Sequence, residues 1–163
     1  MSRVNFYYLL LFFSTAALAL SEDHNAPIHI SSDKWTYNYK TGINEYVGHV
    51  SVTQGSTHLT ADKLTTKSNA QRKIQEAIAY GINQPAHYWT LLKNSDEAVH
   101  GFATIIKYYP IEANVTLLQN VSLKQAENSF QGELIHYNSL DQTVTVPEHE
   151  GSRAVLLYNP DTD

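Results

Sequence analysis

The stretch Val50-Ser51-Val52-Thr53-Gln54-Gly55 returns 71 residues later as Val121-Ser122-Leu123-Lys124-Gln125-Ala126. Sliding residues 28–67 along 99–138 needs no gap: His29 meets His100, Tyr37 meets Tyr108, Val50 meets Val121, and Gln54 meets Gln125. Apolar positions also meet apolar ones, Ile28 with Val99, Val47 with Leu118, Leu59 with Phe130, and Leu64 with Ile135. An ungapped match of this length reads as one supersecondary unit used twice. Such a unit cannot close its own apolar face, and stacking against a copy buries it.

The repeated unit is made of strands. Val50 and Val52 alternate with Ser51 and Thr53, and Leu59, Ala61 and Leu64 follow with one slip, Gly55 and Ser56 forming the turn between. Further runs, PAHYWTLL, ATIIKYY, NVTLLQNVSLKQ, GELIHYN, QTVTVP and AVLLYN, are short, rich in β-branched and aromatic residues, and bounded by turn formers. Together they predict an all-β sandwich, barrel or roll. Residues 69–81 fit two patterns, a helix capped by Ser68 and Gly81 or a strand through Ile74, Ile78 and Tyr80. The all-β context selects the strand.

The chain opens with Arg3, an apolar run from Phe6 to Phe13 and the small-residue step Ala17-Leu18-Ala19. That layout predicts a secretory signal peptide over residues 1–19, cleaved after Ala19, the alternative being a retained inner-membrane anchor. Residues 20–163 then form a single domain containing the duplication. Export normally implies an oxidising compartment, yet the chain has no cysteine, so packing and backbone pairing alone must hold the fold. After cleavage, ten basic residues face 16 acidic ones, a net charge of −6 with histidine neutral. Phosphate backbones need a clustered basic face, so no nucleic-acid partner is expected.

Catalytic and metal signals are weak. The eight histidines show no i, i+4 pair or zinc-type spacing, and no metal or cofactor is expected. Asn114-Val115-Thr116 and Asn120-Val121-Ser122 match glycosylation acceptors but fall in expected strands. Paired carboxylates, Asp33 with Glu45 or Asp62 with Glu133, would suit a secreted β-roll enzyme acting on polysaccharide, if they converged on one cleft. Asp62 and Glu133 occupy equivalent repeat positions, as structural turn residues would.

APIHISSDK (26–34), YVGHVSVTQGSTHLTADKL (46–64), PAHYW (85–89), VHGFATIIKYY (99–109) and LLQNVSLKQ (117–125), in this order and spacing, resemble the LptA family of periplasmic lipopolysaccharide transport proteins. The resemblance implies an open, V-shaped β-jellyroll of stacked, mostly antiparallel strands with an apolar interior. It implies lipopolysaccharide, through its lipid A part, as the cargo, and no catalytic activity. It also implies partners: an LptC-like protein at the inner membrane, an LptD-like protein at the outer membrane, and further copies joined head to tail. An LptC-like anchored component is the nearest alternative. One departure is visible, since TLLQN lacks the glycine that YVGHV carries at the matching point.

A conduit of this kind answers a physical need. Each acyl CH₂ exposed to water costs about 0.8 kcal/mol, so a multi-chain glycolipid requires an apolar cover to cross an aqueous gap. Carried over by the resemblance, Ile28, Ile30, Tyr37, Tyr88 and Tyr108 would contact lipid. Alternation adds Val50, Val52, Leu59, Val121, Leu123 and Phe130 as inward candidates. At the C-terminus, AVLLYNP reads as a terminal strand with little after it to cover its edge, so head-to-tail pairing with the first strand near Ile28 and Ile30 is expected.

Overall fold

The computed structural model describes residues 25–92, 96–148 and 153–157. The expected signal peptide and its cleavage point lie outside them. The described chain is built from strands: β1 His29–Ser31, β2 Lys34–Asn38, β3 Ile43–Gln54, β4 Thr57–Ser68, β5 Ile74–Tyr80, β6 Ala86–Leu91, β7 Ala98–Ala103, β8 Ile105–Tyr109, β9 Asn114–Gln125, β10 Asn128–Asn138, β11 Thr143–Thr145 and β12 Val155–Leu157. The ambiguous segment 69–81 resolves into a turn tied by the Asn69 side chain, which accepts from the Gln71 and Lys73 amides, followed by β5 as a strand. Inward Ala77 and Ala79 explain the choice: on β5 they sit buried opposite Thr66 and Leu64, satisfying the ladder that a helix there would leave open.

All pairings are antiparallel, and four long strands run through two leaves of the jellyroll. In one leaf the order is β1-β3-β4-β6-β7-β9-β10-β12, using the halves of β3 and β9 near Val52 and Leu123. In the other it is β2-β3-β4-β5-β8-β9-β10-β11, using the halves near Tyr46 and Leu117. The strands change leaf at bulges, where the register shifts between Val47 and Val50 and between Gly132 and Leu134. The slip in the alternation of residues 59–64 is this corner seen in the sequence.

Both corners need left-handed backbone. The first uses Gly48 (φ 80°) and His49 (φ 44°); the second uses Gln119 (φ 64°) and Asn120 (φ 53°). The hairpin without glycine therefore adopts the same geometry, Asn being among the residues that tolerate it. Each corner receives a backbone amide, Asp33 N–H donating to the Gly48 carbonyl and Thr104 N–H to that of Gln119. At an offset of 71 residues β2 superimposes on β8, β3 on β9, and β4 on β10 to within one residue, and Gly42 and Gly55 match Ala113 and Ala126, all with positive φ.

The core lies between the leaves. Leu64, Ile106, Leu117 and Ile135 are fully buried there, with Tyr88, Val99, Val115 and Leu123 almost so. Each such side chain contributes about 1.5–3 kcal/mol of burial, which is how a chain without disulfides holds together.

Candidate functional site

The eleven candidate residues sort into a packed middle and two half-open rims. Val50, Val52, Leu59, Tyr88, Tyr108, Val121 and Leu123 belong to one buried cluster between the leaves. Ile28, Ile30 and Phe130 pack against that cluster but stay partly exposed, Ile28 and Ile30 on the β1 side and Phe130 beside β12. Tyr37, on the edge strand β2, is 39% exposed and stands edge-on to Tyr39 with ring centroids 4.7 Å apart. Alternation thus identified the inward face correctly, but it does not distinguish a lining from a filled core. The middle is packed with the protein's own side chains.

At one end of that middle lies a polar island that the sequence reading passed over. Gln54, Thr57 and Thr90 are buried with exposures of 3%, 7% and 3%. Tyr108 Oη donates to Gln54 Oε1 at 2.8 Å, linking the β8 leaf to the β3 end of the other, and the Thr57 and Thr90 hydroxyls lie 3.0 Å apart. Gln54 Nε2 also donates to the Ala26 carbonyl at 3.2 Å, tying down the segment before β1. The signal was available: Gln54 continues the inward series of Val50 and Val52, and Thr57 that of Leu59.

Tyr88 Oη stands apart. It is buried with no well-aligned hydrogen-bond partner among the described residues. Burial pushes its pKa far above the usual range, the Tyr108 and Tyr137 phenols adding to the effect. The Thr57 and Thr90 hydroxyls interact with it closely enough to oppose that rise, but neither makes a well-aligned hydrogen bond. A buried hydroxyl left without a partner costs about 1–3 kcal/mol.

On the outer face of the same leaf the rings form a ladder across three strands, β4, β6 and β7. Cross-strand register sets His58 against Trp89, Trp89 against His100, and His87 against Phe102. The His58 and Trp89 centroids are 4.6 Å apart, those of His87 and Phe102 4.2 Å, and His87 Nε2 lies 3.0 Å from His100 Nδ1. Lys124 Nζ sits over the Phe102 ring at 5.9 Å. These contacts brace the β6–β7 seam, where the two repeat halves meet. Burial first, then the charge of His100, pushes the His87 pKa down to about 4.

That shift gives a signed prediction. The unfolded chain takes up a proton on this imidazole near pH 6.5 and the folded chain does not, so stability falls as pH drops from 6.5 toward 4 and levels off below. The ring is only half-buried, so screening leaves a loss of about 1–2 kcal/mol. Thermal midpoints measured between pH 7 and 4.5 are expected to fall less in His87→Gln than in the unsubstituted chain. His49 is expected to change little, because its pairing with Asp33 (Nδ1 to Oδ2, 2.7 Å) is solvent-exposed on both sides.

The candidate carboxylates are engaged in structure. Asp33 bonds His49, Glu45 Oε2 lies 2.7 Å from Lys63 Nζ, and Asp62 Oδ2 accepts from the Ile82 and Asn83 amides at 2.6 and 2.7 Å. These loop amides hold the Asp62 pKa below the usual carboxylate value. Among the described residues no group of three or more His, Asp or Glu side chains converges as a metal site.

Residues 29–143 match the family described as "LptA/(LptD N-terminal domain) LPS transport protein". The lipopolysaccharide export system protein LptH of Pseudomonas aeruginosa is 31% identical over 140 residues, covering 86% of this chain and 79% of that protein. The lipopolysaccharide export system protein LptA of Escherichia coli (strain K12) is 28% identical over 151 residues, covering 93% and 80%. The crystal structure of LptH from Pseudomonas aeruginosa, an LptA-homologous periplasmic component of the lipopolysaccharide transport device, superimposes with a TM-score of 0.77 at 27% identity over 85% of this chain and 99% of that one.

Proposed function

The chain belongs to the LptA/(LptD N-terminal domain) family of lipopolysaccharide transport proteins, and from that premise we propose that it carries the acyl chains of lipopolysaccharide between its two leaves. It works in the periplasm as part of lipopolysaccharide export. The observation that carries the reading is the apolar interior, continuous from Ile28 and Ile30 through Tyr88 and Leu123 to Phe130, with both rims only half covered. The middle is packed by its own side chains, so an acyl chain entering between the leaves must displace some of them. Acyl burial at about 0.8 kcal/mol per CH₂ is large enough to drive that exchange for a multi-chain lipid.

The remaining assignments follow from the same reading. Residues 1–19 act as a signal peptide, and the halves 28–67 and 99–138 are a duplication, which the coincident strands and left-handed turns support. Two edges invite β-augmentation: β1 with β2 at one end, β11 with β12 at the other, where Val155, Leu156 and Leu157 are each more than half exposed. Further copies join there head to tail, and LptC-like and LptD-like proteins cap the two ends of the bridge. No catalytic role is assigned: three of the four candidate carboxylates, Asp33, Glu45 and Asp62, serve a turn or a surface pair.

The test is photo-crosslinking in intact cells. A photoreactive residue at Ile30, Tyr88, Tyr108 or Phe130 is expected to capture lipopolysaccharide at every one of these positions, and outward-facing Thr60 and Ser122 none. Capture confined to a single interior position, or equal capture outside, would refute the conduit.

A further inference from the structure

We propose that Tyr88, with Thr57 and Thr90 beside it, is a recognition point for a hydroxyl group carried on an acyl chain, set inside an interior that otherwise reads only length and bulk. The inference rests on the conduit reading above. Its carrying observation is independent of that reading: a phenol hydroxyl that is almost wholly buried and has no well-aligned partner among the described residues. Three of the four buried polar residues, Gln54, Thr57 and Thr90, stand together at the ends of β3, β4 and β6, the fourth, Thr66, lying toward the other end of β4.

The chemistry of the island selects the ligand class. Tyr88 Oη brings a donor with no well-aligned acceptor among the described residues. The Thr57 and Thr90 hydroxyls, 3.0 Å apart, spend one proton between them and keep lone pairs free. A guest at this point can therefore both accept from the phenol and donate to a threonine oxygen, which a hydroxyl does and a methylene does not. An anionic group is disfavoured because the surroundings are apolar and, among the described residues, no lysine or arginine is buried. The Gln54–Tyr108 bond at 2.8 Å holds the neighbouring wall and leaves the Tyr88 hydroxyl as the group awaiting a partner.

An unsatisfied hydroxyl also biases the empty state. Closing the leaves without lipid buries that group unpaired, and loading a hydroxylated chain relieves it. Removing the hydroxyl should accordingly spare the empty fold and cost only the discrimination. A substitution that destabilised the empty chain would mean the phenol already has a role in the closed structure.

The experiment compares the purified full chain with Tyr88→Phe. Binding is measured for myristate and for myristates hydroxylated at carbon 3 or at mid-chain. The unsubstituted chain is expected to bind at least one hydroxylated isomer about 3- to 10-fold more tightly than plain myristate, the worth of one hydrogen bond. In Tyr88→Phe that ratio is expected to fall to about one, whatever the variant's affinity for plain myristate, with the lipid-free melting midpoint no lower. Equal affinity for all probes in the unsubstituted chain, a preference that survives in Tyr88→Phe, or a lowered lipid-free midpoint would each overturn the proposal. Failure of plain myristate to bind at all would instead strike the conduit reading, so the two can fail separately.

Discussion

A chain carrying Ile30→Cys together with Leu156→Cys is expected to run, after oxidation, as a ladder of disulfide-linked oligomers, while either single substitution gives at most dimers. The sequence has no native cysteine, so any bond reports the engineered pair. The register follows from the repeat. Leu156 faces Phe130 as Tyr88 faces Leu59, and Phe130 stands at the place of Leu59, so Leu156 occupies the place of Tyr88. Ile30 occupies the place of Gly101, and within the chain Tyr88 and Gly101 are direct partners. If one copy continues the next as the second half continues the first, Leu156 must meet Ile30 of the next copy. In the other leaf Val144 faces Tyr137 as Ala77 faces Thr66, and Ala77 pairs with Tyr108, so Val144 must likewise meet Tyr37.

Directly opposed residues in antiparallel strands place their Cα atoms about 4.5–5.5 Å apart, within the reach of a disulfide. A shift by one residue points the two side chains to opposite faces. The pair Ile30→Cys with Leu157→Cys is therefore the control and is expected to remain monomeric under the same oxidation. Equal ladders from both pairs, or none from the first at high concentration, would remove the idea that the internal seam is the template for assembly.

Much of this was legible in the sequence because strands of period two carry their face assignment with them. The run from Asn114 to Gln125 reads as one strand and is one, and Val50, Val52, Leu59, Val121 and Leu123 all point inward. What escaped depends on pairing that local sequence does not carry. The His58–Trp89–His100 ladder exists because β6 bridges β4 and β7, a choice of neighbours invisible in any one strand. Gln54, Thr57 and Thr90 were overlooked because polar residues at inward positions look like breaks in a pattern. Tyr37 aligns with Tyr108, yet Tyr108 is enclosed by β5 and β9 while Tyr37 lies on an edge strand, so equivalent residues differ in burial. The same asymmetry between a closed seam and an open edge is what head-to-tail docking would remove.

Leu117→Ala is expected to lower stability by about 3 kcal/mol, within the range for emptying a fully buried leucine site. Leu117 is fully buried, pairs with Ile106 on one side and Ile135 on the other, and reaches across to the opposite leaf. There Gly101 makes room for it: a Cβ on Gly101 would lie 2.6 Å from Leu117 Cδ2. For a domain of this size the loss corresponds to a thermal midpoint lower by roughly 10 °C. The informative part is the response to lipid. In the unsubstituted chain an acyl group has to displace native side chains, whereas in the variant it can enter space already vacated, so added myristate is expected to raise the variant's midpoint by more than it raises the parent's. Saturation at about 100 times the dissociation constant would return about 2.7 kcal/mol, nearly the whole deficit. If myristate shifts the parent and the variant equally, the acyl chain does not enter at Leu117, and the packed middle is a core in the ordinary sense with transport confined to the rims.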